Sequence, residues 1–378
     1  MRPALAKGAE FPLSPGVMAL TTGLLIFLGT YTPAGGESRG IYAVRLDAAT
    51  GVLSEPVLAA ETPNPTFLAW HPASRTLYAL SESGTVSGKP GGALTAYRFD
   101  PAAGTLTKLN TEPTGGIGLA HVGVDATGRT AAAISYHGGY VAAFPIRTDG
   151  SLGTRTTLIN HTGRLGPNTN RQDKPHPHSV TFSPDNRFVY VCDLGLDRLF
   201  HYRLDPAAAT LTPAGETATA PGAGPRHSKF SADGKFLYVI NELNCTVEVF
   251  AADAPTGALT RVQIAATLPA GFTGENICAE IRLSPDDRFV YGSNRGHDSL
   301  AVFARDAATG TLTPVEIVPA GGKHPRNFNL SPDGRWLVCG NRDSNNVTVF
   351  ARDAATGRLT RTPLTLAVPQ AVCVLFAP

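Results

Sequence analysis

The sequence predicts an all-β protein, a seven-bladed β-propeller with four antiparallel strands per blade and a ring closed by a blade shared between the N- and C-termini. Three observations lead there. A ten-residue unit recurs in the second half as FSPDNRFVYV (Phe182 to Val191), FSADGKFLYV (Phe230 to Val239), LSPDDRFVYG (Leu283 to Gly292) and LSPDGRWLVC (Leu330 to Cys339). Each copy is an apolar run, a turn built on Asp-Gly or a relative of it, and a second run rich in Phe, Val and Tyr, which is the pattern of a β-hairpin. The copies return at a period of about fifty residues, and the two chain ends read as fragments of one more unit.

Taken along the chain, residues 1–22 carry one Arg, one Lys and a Pro-interrupted stretch, and are expected to form an extension outside the domain, which then spans 23–378. LLIFLGTYT (Leu24 to Thr32) and GIYAVRLDAATGVLS (Gly40 to Ser54) read as later strands of an incomplete blade. Weaker hairpins follow at WHPASRTLYA (Trp70 to Ala79) and VDATGRTAAA (Val124 to Ala133). Anchored on Pro72, Ala126, Pro184, Ala232, Pro285 and Pro332, the repeats are spaced by 54, 58, 48, 53 and 47 residues. Each hairpin precedes a second pair of runs with its own turn, as in LAVFARDAATGTLT (Leu300 to Thr313) and VTVFARDAATGRLT (Val347 to Thr360). The closing AVCVLFAP (Ala371 to Pro378) reads as the first strand of the incomplete blade, and Gly29 then aligns with Gly340. Closing the ring in this way removes the free sheet edges of an open array.

Composition agrees. Gly 40, Pro 30 and only 16% charged residues suit many tight turns. A formal net charge of +2, with basic residues scattered, leaves no electrostatic footprint for nucleic acid or an anionic membrane. The five cysteines lack CxxC spacing and fall mostly in strands, so they read as buried reduced thiols of a cytoplasmic protein. The chain is expected to be a monomer or a weak homo-oligomer.

Chemistry belongs where the repeats disagree. The innermost strand of a propeller blade lines the channel, and the loop after the second strand returns to the same mouth, so two alignment columns face one pocket. Six residues before the anchor the column reads Thr66, Ala120, His178, Arg226, Ala279, Arg326 and Val372; the next position reads Phe67, His121, Ser179, His227, Glu280, Asn327 and Cys373. Ten residues after the anchor it reads Glu82, Tyr136, Leu194, Glu242, Arg295, Arg342 and Tyr31, preceded by a row that holds Asn241 and Asn294. Structural repeats need small or apolar residues at such positions. Arginine, histidine and carboxylate at a channel mouth point to ligand contact instead.

The segment GRLGPNTNRQDKPHPHSV (Gly163 to Val180) has no apolar periodicity and is expected to project over the mouth, bringing Arg171, His176 and His178 with it. Two histidines two residues apart on one strand share a face, as metal ligands do. No acidic or histidine cluster completes a coordination shell in the sequence, so neither a metal nor another cofactor is expected. His178, at the start of a strand, suits general acid/base work.

PHPHSVTFSPDNRFVYVCDLGLDRL, GAGPRHSKFSADGKFLYVINELNCTVEVF and AEIRLSPDDRFVYGSNRGHDSLAVF, with the opening FLGTYT and the closing VCVLFAP, resemble the bacterial 6-phosphogluconolactonase family of seven-bladed propellers, to which the carboxy-cis,cis-muconate cyclases are related. The resemblance covers residues 24 to 378. It implies a site of His178, Arg226, Glu242 and Arg295, and hydrolysis of a phosphorylated sugar lactone, 6-phosphogluconolactone to 6-phosphogluconate, in the pentose phosphate pathway. Arg226 and Arg295 would then clamp an anion or the developing oxyanion, Glu242 would accept a proton from water and His178 would donate one. Beside them His176, His227, Asn241, Asn294, Glu280, His121, Arg326 and Arg171 are candidate substrate contacts. Two alternatives remain: a cofactor-independent cycloisomerase of muconate-like diacids, and a non-catalytic binding propeller.

Overall fold

The Asp-Gly-type turns settle where each blade begins. Their last position needs a left-handed backbone, and Gly128, Gly234 and Gly334 supply it at φ of 69°, 72° and 70°. Where the repeat departs from glycine it uses Asn186 and Asp287 at 59° and 58°, the residue types that tolerate that region best. The serine opening the turn ties it shut: Ser231 Oγ donates to Asp233 Oδ1 (2.7 Å) and accepts from Phe236 N (3.0 Å), and Ser183, Ser284 and Ser331 do the same in their blades.

The computed structural model describes residues 23–377 apart from 83, 84, 87 and 88; the expected extension over residues 1–22 and the terminal Pro378 lie outside the described residues. The described chain forms seven four-stranded antiparallel sheets, six of them in sequence order from the channel outward. Blades 1 and 2 comprise Leu68–His71, Thr76–Ser81, Ala93–Asp100 and Thr105–Pro113, then Leu119–Val124, Thr130–Ser135, Tyr140–Pro145 and Thr157–Asn160. Blades 3 and 4 comprise Pro177–Phe182, Phe188–Asp193, Arg198–Asp205 and Thr210–Ala218, then Pro225–Phe230, Phe236–Asn241, Thr246–Ala252 and Leu259–Ala266. Blades 5 and 6 comprise Ile277–Leu283, Phe289–Arg295, Ser299–Arg305 and Leu312–Pro319, then Pro325–Leu330, Trp336–Asn341, Asn346–Arg352 and Leu359–Ala367. Blade 7 is built from both chain ends: Ala371–Phe376 lies innermost and pairs with Leu24–Thr30, followed by Gly40–Leu46 and Val57–Glu61. Its register sets Gly29 opposite Cys373 and Phe27 opposite Leu375. A small two-stranded ribbon, Thr85–Val86 with Lys89–Pro90, is inserted in blade 1. No helix among the described residues is long and apolar enough to cross a membrane.

Neighbouring blades are fastened by one repeated contact. A tyrosine of the second strand donates to the carbonyl of the glycine that closes the next blade's Asp-Ala-Ala-Thr-Gly turn, or Asp-Ala-Pro-Thr-Gly in blade 4: Tyr190 to Gly257 (2.8 Å), Tyr238 to Gly310 (2.9 Å) and Tyr291 to Gly357 (2.9 Å). The aromatic residue at the start of that strand packs onto the same glycine, so closely that a Cβ on Gly310 would stand 2.3 Å from the Phe236 ring. Trp336 makes this contact with Gly51 and donates Nε1–H to Ala48 O (3.0 Å), which carries the lock across the N- to C-terminal junction. All five cysteines are buried.

One irregularity decides where side chains point. Near its start the innermost strand skips a residue of register between Leu119 and His121, Pro177 and Ser179, Pro225 and His227, and Pro325 and Asn327, with a related shift between Cys278 and Ile281. These are β-bulges, which leave one residue unpaired and re-aim its side chain. The bulged residues include Ala120, His178, Arg226 and Arg326, the first of the two columns derived from sequence.

Candidate active site

A cavity of about 270 Å³ opens at the mouth where these bulges gather. His178, Arg226 and Arg326 enter it from the bulges, Glu82, Tyr136, Glu242, Arg295 and Arg342 from the ends of the second strands, and Arg171 from the loop before blade 3. The loop is held by the buried Gln172, whose Nε2 donates to Leu194 O (2.8 Å) and Asp197 Oδ1 (2.8 Å) while its Oε1 accepts from Asn168 N (2.9 Å).

Glu242, 2% exposed, is the hub. Its Oε2 lies 2.9 Å from Arg226 Nε and 2.9 Å from Arg295 Nη2, its Oε1 accepts from Arg171 Nη2, and His178 Nε2 stands 3.9 Å away. Burial alone would raise its pKa. The surrounding Arg295, Arg226, His178 and Arg171 outweigh burial and hold the carboxyl well below its ordinary 4.5. The arginines respond in the opposite sense to a simple pair: burial, then Arg295 and Arg326, push Arg226 down to about 9, and burial lowers Arg295 as well. A pair in which the acid is stabilised while its bases are destabilised is one that holds more cation than anion. Arg171, Arg226, Arg295, Arg326 and Arg342 face only Glu242 and Glu82 in this cavity.

Arg226 is also fixed from behind. Its Nη1 donates to Ala279 O (2.7 Å) and meets His227 Nε2 at 3.1 Å. His227 Nδ1 lies 3.2 Å from Glu280 Oε2, so the buried carboxylate holds the proton on Nδ1 and leaves Nε2 to accept from the guanidinium. Burial, then Arg226, depress His178 well below its ordinary 6.5, so its imidazole is neutral at pH 7; its Nδ1 is buried with no hydrogen-bond partner. On blade 6 Arg326 Nη2 donates to Tyr31 Oη (3.1 Å), and Arg342 Nη2 approaches His324 Nδ1 (3.4 Å). His324 is pushed down to about 3 by burial and then by Arg295 and Arg342.

The structure brings His178, Arg226, Glu242, Arg295, Arg171, Arg326 and His227 to the cavity and leaves the other sequence candidates outside its lining. His176 stacks on Tyr136 at 4.2 Å and bonds Asp173 (2.8 Å), while His178, at the bulge, meets the same Tyr136 ring edge-on at 5.4 Å. Asn241 ties its own blade, donating to Thr246 Oγ1 (2.9 Å), and Asn294 donates to Thr267 O (2.9 Å). His121 stacks on Phe67 at 3.9 Å, and Glu280 accepts from Asn327 Nδ2 as well as facing His227. The position one step past the bulge is therefore divided: His227 and Asn327 still reach the lining, whereas His121 packs on Phe67 and Glu280 is taken up by His227 and Asn327. Missing from the candidate set were Glu82, Tyr136 and Arg342, which stand in the second column, and His137 and His324, which lie in turns outside either column.

The family model described as Lactonase, 7-bladed beta-propeller, matches residues 25–376. The chain belongs to that family. It is 39% identical over 350 residues, covering 93% of this chain and 97% of its relative, to a protein of Bacillus subtilis named 6-phosphogluconolactonase. Among solved structures, the Pseudomonas aeruginosa periplasmic gluconolactonase superposes with a TM-score of 0.87 at 37% identity, over 94% of this chain and 99% of that one. A putative 6-phosphogluconolactonase of Bacteroides fragilis gives 0.85 at 35% identity, over 94% and 98%.

Proposed function

We propose that this lactonase-family propeller hydrolyses an anionic sugar lactone, with 6-phosphogluconolactone as the substrate and 6-phosphogluconate as the product. The observation that carries this reading is the excess of guanidinium over carboxylate in a cavity that also holds a neutral histidine. A site with surplus buried cation is completed by a substrate anion, and arginine forks match phosphate in two-pronged fashion.

The roles differ from the first expectation. A carboxylate clamped by three guanidinium groups is a feeble base, whereas an imidazole held neutral accepts a proton at pH 7. His178 therefore takes the proton from the attacking water, and Glu242 steadies the imidazolium that forms. Arg226 and Arg295 have hydrogens left beyond those pledged to Glu242, Ala279 and Cys278, and these meet the carbonyl oxygen as it becomes an oxyanion. Arg326 and Arg342, on blade 6 beside Arg295, receive the phosphate. The pocket is complete within one chain, which supports action as a monomer or weak homo-oligomer, and five buried thiols support a cytoplasmic setting.

The test generates 6-phosphogluconolactone in situ and follows its loss against spontaneous hydrolysis, beside gluconolactone and a muconolactone. Acceleration for the phosphorylated lactone that Arg226→Ala abolishes, and an Arg326→Ala loss larger for the phosphorylated than for the plain sugar lactone, are expected. Equal rates for both sugar lactones would remove the phosphate from the proposal, and turnover of the muconolactone alone would replace the substrate class.

A further inference from the structure

Of the arginines that line the active cavity, all but one are held by a carboxylate. Arg171, Arg226 and Arg295 share Glu242, and Arg342 lays Nε and Nη2 on Asp343 Oδ1 and Oδ2 at 2.6 and 3.2 Å. Arg326 has no carboxylate within ion-pairing distance among the described residues, and its side chain makes one hydrogen bond there, from Nη2 to Tyr31 Oη (3.1 Å). The rest of its donor fork is left for the cavity that it lines.

Tyr31 is not among the residues lining the cavity; it holds one that is. It follows the strand Leu24–Thr30 of blade 7, and its ring centroid stands 5.6 Å from Arg326 Cζ, so that ring and hydroxyl engage the same guanidinium. The backbone around it is pinned. Tyr31 N donates to Gln370 O (3.1 Å), Thr32 N donates to Asn64 Oδ1 (2.9 Å), and Asn64 N donates in return to Thr32 Oγ1 (2.9 Å). Gln370 immediately precedes the innermost strand Ala371–Phe376, so the residue that steadies Arg326 is itself held where the two chain ends meet.

We propose that Tyr31 is a positioning residue that aims Arg326 at the substrate's phosphate, so that preference for a phosphorylated over a plain sugar lactone is set at the junction of blades 6 and 7. Burial raises the pKa of Tyr31 above its ordinary 10, and it meets Arg326 as a neutral phenol. Burial opposes the charge on Arg326, yet the oxygens of Tyr31 and Glu82 keep its pKa above the ordinary 12.5. A charged fork with donors to spare and no counter-ion of its own is completed by a phosphate, which it meets in two-pronged fashion. A plain sugar lactone brings hydroxyls but no charge and leaves that fork unmatched, and a site built around such a contact discriminates against the ligand that lacks it. Arg342, with two of its nitrogens already on Asp343, contributes less.

The experiment compares wild type, Tyr31→Phe, Arg326→Ala and the double variant, all full-length. Tyr31→Phe keeps the ring and removes only the hydroxyl. It is expected to raise KM for 6-phosphogluconolactone about tenfold with little change in kcat, and to move the parameters for gluconolactone much less. The double variant should be no worse than Arg326→Ala alone, because Tyr31 acts through Arg326; a merely structural role would make the two losses add. Inorganic phosphate binding, measured by titration calorimetry, should weaken in Tyr31→Phe and vanish in Arg326→Ala. Equal losses for the two lactones, additive losses in the double variant, or phosphate binding by Arg326→Ala as tight as by wild type each overturn the proposal. The kinetic arm rests on the lactonase reading and the calorimetric arm does not: phosphate binding that follows this series without turnover of either lactone supports the seat at Arg326 and sinks the lactonase reading alone.

Discussion

Glu242→Gln isolates what the hub does for the fold. The substitution keeps the shape and one acceptor oxygen but removes the carboxylate that, among the described residues, alone stands within ion-pairing distance of Arg171, Arg226 and Arg295. Stripping one partner from a buried, hydrogen-bonded ion pair costs about 3–5 kcal/mol, and Glu242 at 2% exposure has little solvent to screen the loss. An unfolding entropy of about 2.1 cal/mol/K per residue over roughly 350 folded residues gives about 0.75 kcal/mol/K, so the melting temperature should fall by about 4–7 °C. The native carboxyl lies well below 4.5, so its contribution is fully present above the unfolded-state value of about 4.3 and is lost as pH falls through the native one. Scanning calorimetry of wild type and variant in low-salt buffer from pH 3 to 8 should show a gap that is level above about pH 5 and narrows only in acid. Added sulfate should recover part of the gap in the variant by seating an anion among the arginines. A variant that melts with the wild type at pH 7, or a gap that opens only above neutral pH, refutes the account of a cation-rich site organised by this one carboxylate.

His178→Asn should lower kcat by about a hundredfold to ten-thousandfold with the fold intact by circular dichroism. Because burial and Arg226 keep His178 neutral well below 6.5, the wild-type catalytic rate, corrected for spontaneous hydrolysis, should stay level as pH falls through 6.5 and decline only in stronger acid; an inflection at 6.5 would remove His178 as the base. Lys229 stands near Arg282 and Glu280 in the channel, and burial followed by Arg282 pushes it down to about 7. The unfolded chain, with its lysine near 10.4, binds the proton more readily there, so wild-type stability should climb between pH 7 and 10, whereas Lys229→Met should melt higher at pH 7 with a flatter profile. Gly51→Ala places a methyl group 2.5 Å from Trp336 at a φ of +74°, and should lower the melting temperature by several degrees while kcat is unchanged, since the contact lies at the ring closure and not at the cavity.

The blades were legible in the sequence because each device that builds them is local. The turn glycine, the serine that caps it and the alternating aromatic run all lie within ten residues, and the register that closes the ring follows from aligning Gly29 with Gly340. The two mouth columns were legible for the same reason: any residue at a fixed offset from the anchor occupies the same place in its blade. What the sequence did not carry was the bulge. Arg226 and His227 are neighbours in the chain, and the skipped register between Pro225 and His227 lets both reach the cavity, the first paired with Glu242 and the second with Glu280. Reading both columns as pocket residues therefore captured Arg226 and Arg326 and also swept in His121 and Glu280. His324 escaped for the converse reason, since it reaches the cavity from a left-handed turn at φ 59°, a position that the repeat does not mark.

The same contacts that shape the cavity also join blades, and this sets what can vary independently. Arg171 from the loop before blade 3, Arg226 of blade 4 and Arg295 of blade 5 converge on the Glu242 carboxylate, while Arg226 reaches Ala279 O and Glu242 O receives Cys278 N–H across the interface between blades 4 and 5. Chemistry and cohesion are therefore carried by the same atoms over this arc of the ring, and substitutions there should lower stability and rate together. Elsewhere the blades are held by the tyrosine and aromatic contacts to turn glycines, which face away from the mouth. Weakening one of those should cost stability alone.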